Sequence, residues 1–319
     1  AVAYAIAALV PHYAVLLVCA IVAGIGYALA NTGTSIAIAA ALPRHRHGVA
    51  LAVRTAGVPL LMAISAMVAG ALGESAGWRP VLAGFTPLLL VGGGLAGIVL
   101  PGSRRDARSQ HHRASAPAPL PRGFVWFPLA ACAFLAGSQS LFSWVVPFLH
   151  EAGQLPLSVA GVITSGGSLA GVAGMILIAQ LSDRTAPTSR VPAVVLLCLL
   201  TAGGQLLLTG GIAAGAALMV AGLIIATVAE LAAVSLMHAA VVAAAPATVG
   251  RASGLTMAGY YLGAQAGPAL FGLIVDLTDT YAPAWLTCAA LITAGAAAFW
   301  RCRRVGHTAL PDAVLRSDT

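Results

Sequence analysis

Long apolar stretches alternate with short polar segments along most of the chain. An apolar stretch at residues 1–10 is followed by nine more, each of about 20 residues or longer, with Pro, Gly, Asp and Arg at the breaks. The nine lie at residues 13–42, 48–72, 80–100, 123–149, 157–181, 191–209, 213–244, 251–275 and 283–300. Only helices and closed barrels satisfy the backbone in hydrocarbon, and stretches this long do not fit barrel strands. The pattern therefore predicts nine transmembrane helices and one partial helix.

The composition agrees with lipid as the solvent. Hydrophobic residues make up 60% of the chain, charged residues make up 8%, and the mean hydropathy is +0.95. A soluble protein of this length needs many more charged residues to cover its surface. We therefore predict an all-α polytopic membrane protein.

The arginines lie almost entirely on one side of the predicted membrane. Every Lys or Arg position is Arg, and 15 of the 16 lie in or near alternate loops or in the C-terminal tail, with Arg79 as the exception. The positive-inside rule places those loops in the cytoplasm. We expect a multi-pass protein of the inner (plasma) membrane with a cytoplasmic C-terminus. Because topology explains the net charge of +7, we expect no nucleic-acid partner.

Cysteine and histidine provide no sign of a metal site. None of the five cysteines belongs to a CxxC pair, and four lie inside apolar stretches, so we predict reduced thiols. His45, His47, His111 and His112 lie in basic segments without Cys or acidic partners at ligand spacing, which is typical of solvated residues. The sequence predicts no metal and no cofactor.

The two halves of the chain show a weak internal repeat. A shift of 202 positions places Gly48 on Gly250 and Glu74 on Asp276, and carriers often retain such symmetry. The second half contains six predicted helices. The same shift places the start of the first half about 80 residues upstream of residue 1, so we expect about two and a half helices to be missing. The predicted organisation is the remainder of a first bundle at 1–100, a cytoplasmic connection at 101–122, a six-helix bundle at 123–300 and a cytoplasmic tail at 301–319.

Three local patterns resemble the major facilitator superfamily. The segment AQLSDR at 179–184, followed by Arg190, resembles the family's cytoplasmic loop motif G-x-L-a-D-R-x-G-R-R, with Ala in place of the first Gly. The segment GIGYA at 24–28 resembles the glycine pattern of the family's fourth helix, although Ala20 replaces the expected Arg. The segments AGVP at 56–59 and AGP at 266–268 resemble incomplete copies of the Gly-Pro motif of antiporters.

This resemblance implies two six-helix bundles that rock about a central site, and hence a monomeric secondary transporter of a small solute without enzymatic activity. In the family, the loop residues that correspond to Asp183, Arg184 and Arg190 hold helix ends together on the cytoplasmic face. Residues 31–79 are most similar to permeases of cyanate, nitrate and other small anions, which implies a small organic or inorganic anion as substrate. The alternative that the Gly-Pro motifs favour is a drug or metabolite efflux antiporter.

Glu230 is the strongest candidate for ion coupling. It lies near the middle of the 213–244 stretch, and the nearest basic residue along the chain after it is Arg251. A carboxyl at this depth favours its neutral form and can exchange a proton with each access state; alternatively, it is protonated and bonds a neighbouring helix. His238 could relay protons, although a hydrogen-bonded structural histidine is more common. Arg54, about 9 Å into its helix, either anchors an anion, closes a cytoplasmic gate or extends to the interface.

A set of polar and aromatic residues inside the stretches could line a solute cavity. These residues are Asn31, Thr34, Ser35, Gln139, Ser143, Trp144, Gln205, Tyr260, Tyr261 and Gln265. For each residue alone, hydrogen bonding between helices is the usual role. An intramembrane enzyme that uses Glu230 and His238 as acid and base is a rival, but no nucleophile accompanies them. A passive channel would require a filter sequence or a ring of repeated charge.

Overall fold

The computed structural model describes residues 1–41, 47–99, 119–185, 190–245, 248–303 and 305. In these ranges the chain forms helices and no strand, as the sequence predicts. The helices are α1 (Val2–Leu9), α2 (Tyr13–Ala41), α3 (His47–Ala76), α4 (Trp78–Val99), α5 (Trp126–Ser138), α6 (Ser140–Glu151), α7 (Leu157–Thr185), α8 (Val191–Ala214), α9 (Ala216–Ala244), α10 (Val249–Thr278) and α11 (Ala282–Cys302).

Six helical segments of the described chain are long and apolar enough to cross a membrane. They are Trp78–Ile98, Trp126–Glu151, Leu157–Ser182, Val191–Ala214, Ala216–Ala244 and Ala282–Cys302. In α2 and α3 the described apolar segments are shorter, at Tyr13–Tyr27 and Ala56–Leu72. The 30-residue α10 is not among the six, and residues such as Ser253, Thr256 and Gln265 make its sequence more polar. Nevertheless, a helix forms at each of the nine predicted stretches.

The 123–149 stretch forms the span Trp126–Glu151 as predicted. A tighter i→i+3 turn, in which the amide of Phe142 bonds the Gln139 carbonyl at 3.2 Å, divides this span into α5 and α6 at Gln139. One predicted helix boundary was wrong. The predicted break at Gly210 lies inside α8, which continues to Ala214 and ends at Gly215, whose φ of 104° suits glycine. At Gly211 the missing side chain leaves room for Met219 of α9, so this glycine allows close packing of the two helices.

The chain divides into two units, residues 1–115 and 116–319. In the first unit, α1 packs against α2 and α4, and α3 packs against α4. In the second unit, α9 packs along α8 and α7, α5 packs against α10 and α11, and α11 also contacts α8. Helices α5, α8, α9 and α11 therefore enclose the core of the second unit.

Aromatic side chains fill one part of that core. Trp285 is fully buried, and its ring meets the rings of Phe148 at 5.4 Å and Phe271 at 4.7 Å between centroids. Both contacts are edge-to-face, which is a favourable geometry for aromatic pairs. This group fixes the start of α11 against α6 and α10.

Glycines at a spacing of four bring α10 against α5. A Cβ atom at Gly259, Gly263 or Gly267 would collide with backbone atoms of α5. Small residues at this spacing allow two helix backbones to approach each other in membranes. The contact therefore fixes α5, and with it the polar residues at the α5 C-terminus.

Tyr281 connects the start of α11 to the end of α6. Its hydroxyl donates a hydrogen bond to Glu151 Oε2 at 2.8 Å, and 8% of the residue is exposed. Burial, together with the hydrogen bond and the charge of Glu151, raises the pKa of Tyr281 above its ordinary value of about 10. The neutral tyrosine stabilises the fold below about pH 10, and this contribution is lost as the pH rises further.

We expect Tyr281→Phe to lower the free energy of unfolding at pH 8 by about 1–2 kcal/mol, because a hydrogen bond to a charged group is lost. In the parent protein the melting temperature should fall above about pH 10, and the variant should show a smaller fall. Thermal unfolding in detergent measures both effects. Tyr13→Phe is the matched control because Tyr13 is 80% exposed. Equal melting curves for Tyr281→Phe and the parent would contradict this role.

Candidate functional site

Glu230 lies inside the second unit, near the middle of α9, and 1% of it is exposed. Ala226, Ala229 and Ala233 are buried on the same helix. Their small side chains allow neighbouring helices to approach the carboxyl closely. The sequence placed this residue at depth in an apolar helix, and in the structure it is enclosed by the bundle.

The Ser138 hydroxyl, at the end of α5, lies close enough to interact with the Glu230 carboxyl. Its position does not meet hydrogen-bonding geometry, because neither Ser138 Oγ nor Glu230 Oε2 has a hydrogen-bond partner in the described structure. No basic side chain among the described residues acts on Glu230. The carboxyl is therefore buried with one unpaired oxygen and without a positive neighbour.

Gln205 brings a second polar group from α8. It is fully buried, and its Nε2 donates to the carbonyl of Gly137 at 3.0 Å, immediately before Ser138. Its Oε1 has no partner among the described residues. This hydrogen bond crosses from α8 to the end of α5 and holds the two helices in register.

We call Ser138, Gln205 and Glu230 the buried polar cluster. Ser140 is fully buried at the start of α6, beside the thiol of Cys288, and its Oγ has no hydrogen-bond partner in the described structure. Cys288 in turn lies within electrostatic range of Glu230. The cluster contains one carboxyl and two neutral side chains, from α5, α8 and α9. Ser140, two positions after Ser138, lies on a different helix face, towards Cys288 of α11.

His238 faces away from this cluster. It is exposed, and its Nδ1 donates to the carbonyl of Val234 at 2.7 Å within the same helix. Its ring lies 6.5 Å from the ring of Tyr260. The structure therefore places Glu230 inside the bundle and His238 at its surface, next to α10.

The other residues of the second unit that the sequence predicts for a solute site are exposed or half-buried. On α10, Tyr260 is half-buried with its ring 5.1 Å from that of Tyr261, and Tyr261 and Gln265 are exposed. Gln139 is half-buried and Ser143 is exposed. None of these joins the buried polar cluster directly.

Trp144 has a packing role in this structure. Its Nε1 donates to the carbonyl of Pro268 at 2.9 Å, and its ring stacks on Phe271 at 5.4 Å. The ring also lies over Gly272, where a Cβ atom would be 2.7 Å from Trp144 Cζ2. Trp144 therefore joins α6 to α10.

Five predicted site residues have side chains that lie outside the described residues. They are Asn31, Ser35, Arg54, Asp183 and Arg184. Two others can be placed: Thr34 donates to the carbonyl of Ala30 at 2.7 Å, and Arg190 is half-buried at the N-cap of α8.

Sequence reasoning missed Ser138 and Ser140. The signal was present, because Ser138, Gln139 and Ser140 form a run of three polar residues in the middle of an otherwise apolar stretch. We predicted that Gln139 would line a cavity, whereas the two serines beside it are the fully buried residues.

Comparison with known proteins identifies a family. The family model described as Major Facilitator Superfamily matches residues 1–218, which is more than half of the chain. A search of curated proteins found no match.

Proposed function

Because the chain belongs to the major facilitator superfamily, whose members are membrane transporters, we propose that it is a secondary active carrier of a small solute. The carrier works by alternating access and couples solute movement to protons. Its bundles rock about a central site, which is accessible from one side of the membrane at a time.

The burial of Glu230 supports the proton coupling. An ionised carboxylate in an apolar bundle without a positive neighbour is costly, so Glu230 is neutral while it is enclosed. It can lose its proton only in a state that admits water or a cation. Protonation of Glu230 then depends on the conformation, and a carrier needs such a dependence to link an ion gradient to movement.

A small organic or inorganic anion is the proposed solute. The similarity of residues 31–79 to small-anion permeases supports this choice, and Arg54 is the proposed anchor for the anion. The exposed Tyr261 and Gln265, with Ser143 and Asn31, are proposed to contribute to the solute site. The loop residues Asp183, Arg184 and Arg190 are proposed to hold helix ends together.

The protein is proposed to work as a monomer in the lipid bilayer of the plasma membrane, with its C-terminus in the cytoplasm. No nucleic acid and no cofactor takes part in this proposal, and no chemical reaction is catalysed.

Counterflow in proteoliposomes tests the carrier proposal. Solutes that raise the melting temperature of the purified protein are loaded at high concentration inside the vesicles, and a trace of labelled solute is added outside. A carrier that has solute bound when it changes its orientation exchanges internal solute for external solute. The label should therefore accumulate inside the vesicles transiently above its equilibrium level. Label that only equilibrates would contradict alternating access and indicate a passive pore.

The direction of coupling distinguishes an anion symporter from an efflux antiporter. An imposed proton gradient should draw an anion to the alkaline side in symport. Accumulation on the acidic side, or transport restricted to drug-like cations, would favour the antiporter instead.

A further inference from the structure

The buried polar cluster presents oxygen atoms with no partner to bond. Glu230 Oε2, Gln205 Oε1 and Ser138 Oγ all lack a hydrogen-bond partner in the described structure. Each of these residues is at most 1% exposed. Buried polar groups are normally paired, because leaving one unpaired destabilises the fold. Three in one region of an apolar bundle indicate a ligand that they share.

We propose that the buried polar cluster binds a sodium ion when Glu230 is ionised. This inference rests on the proposed role of Glu230 as the ion-carrying carboxyl. All three groups supply oxygen lone pairs, which are the ligands that hard cations prefer. The ion also neutralises the carboxylate, whereas a water molecule would satisfy hydrogen bonds but leave the charge uncompensated.

The charge of the cluster selects a monovalent ion. Glu230 is its only acidic residue, and Ser138 and Gln205 are neutral, so one positive charge balances the site. A divalent ion would leave an excess positive charge in an apolar bundle, which is costly. The described residues also contain no group of three or more His, Cys, Asp or Glu that could hold such a metal.

The helix geometry holds the ligands in place without the ion. Gln205 Nε2 is held by the Gly137 carbonyl, so Oε1 of the same amide is left for a ligand. Ser138 is the last residue of α5, next to the junction with α6 at Gln139. The glycine contact between α10 and α5 fixes that junction. A site built from rigid helices in this way requires little reorganisation when it binds an ion.

Sodium and the proton should compete for the same carboxyl. The titratable groups within electrostatic range of Glu230 are the thiols of Cys198 on α8 and Cys288 on α11, and α5 contributes the neutral hydroxyl of Ser138. No other described group acts on the carboxyl. Sodium binding therefore depends on deprotonation of Glu230, and its apparent affinity should fall by up to about tenfold per pH unit where the carboxyl is protonated.

Thermal unfolding of the full chain in lipid nanodiscs tests the proposal. The melting temperature is measured while NaCl replaces choline chloride at constant ionic strength, at pH 6 and pH 8, with KCl as a control for ion size. We expect sodium to raise the melting temperature by about 2–4 °C at pH 8 and by less at pH 6. Potassium should have little effect.

Variants assign the effect to the cluster. Glu230→Gln should remove the sodium effect, and Ser138→Ala should weaken it. Thr293→Val is the matched control, because this hydroxyl on α11 already donates to the carbonyl of Ala289, and it should keep the full effect. Binding of labelled sodium, at about one ion per chain, provides a second readout for any variant that folds poorly.

Three outcomes overturn the proposal. The first is an equal melting temperature in sodium and choline at both pH values. The second is a sodium effect that persists in Glu230→Gln. The third is a loss of stability in Ser138→Ala without any sodium effect, which would indicate that a buried water completes the cluster. If sodium has no effect but Glu230→Gln still abolishes proton-driven transport, the sodium site is contradicted and the proposed function stands. If sodium raises the melting temperature as expected but Glu230→Gln leaves proton-driven transport unchanged, the proposed function is contradicted and the sodium site stands.

Discussion

Replacing Gly263 by leucine is expected to prevent stable folding of the second unit. A Cβ atom at this position already collides with the Cys132 carbonyl and lies 3.0 Å from the Ala136 amide nitrogen. Both are backbone atoms of α5, so no side-chain rotation relieves the overlap. Overpacking in a close-packed interior costs about 1–3 kcal/mol and sometimes more. Leucine at the closest point of two helices should exceed that range and force α10 from α5.

Size-exclusion chromatography and thermal unfolding after purification measure this effect. Gly254→Leu is the matched control, because it lies on the same helix with no atom within 4 Å of a built Cβ. We expect Gly254→Leu to remain monodisperse, Gly263→Ala to melt at a lower temperature, and Gly263→Leu to aggregate or express poorly. Similar behaviour of the two leucine variants would show that α5 and α10 are not in close contact.

Glu230→Gln should abolish proton-driven accumulation while leaving the protein folded. Glutamine has nearly the same shape and retains a hydrogen-bonding side chain, but it cannot take up or release a proton. A gradient of one pH unit is worth about 1.4 kcal/mol per proton and supports about tenfold accumulation when one proton moves with each solute. The variant should therefore reach an accumulation ratio of about 1 while still performing counterflow.

The control for this variant is Glu151→Gln. Glu151 is an exposed carboxyl at the end of α6 that bonds Tyr281 and lies away from the cluster. Its replacement should lower stability slightly and leave the accumulation ratio unchanged. If Glu230→Gln accumulates solute as the parent does, Glu230 is a structural hydrogen-bonding residue and another group carries the proton.

The helices could be predicted from the sequence because membrane solvation imposes a simple rule. In hydrocarbon the backbone N–H and C=O groups must form hydrogen bonds with each other, so each long apolar stretch becomes a helix regardless of its neighbours. This rule predicted α7 and α9 within a few residues. It failed at Gly210 and Gly211, which look like a break in sequence but serve helix packing in the structure.

The contacts between helices could not be predicted in the same way. The sequence marks Glu230 as unusual, but whether it faces solvent, a cavity or the core depends on which helices pack beside α9. Periodicity gives little help, because α9 is apolar on all sides. The serines beside Gln139 were missed for the same reason, since the break between α5 and α6 is a small local change in hydrogen bonding.

The glycine spacing in α10 indicates a close helix contact that could have been predicted from the sequence. Gly259, Gly263 and Gly267 recur every four residues, the spacing that places them on one helix face. The incomplete Gly-Pro motif drew attention to Gly267 and Pro268 alone. In the structure the three glycines form one contact with α5, and this contact positions the buried polar cluster.

Direct measurement of proton movement with the solute tests the central claim. Proteoliposomes that contain a pH-sensitive dye receive a transported solute in weakly buffered medium, without any imposed gradient. The proposal predicts an internal pH change that starts with solute entry, requires the protein, and disappears when a protonophore is added. Solute entry at the same rate with no change of internal pH would contradict proton coupling.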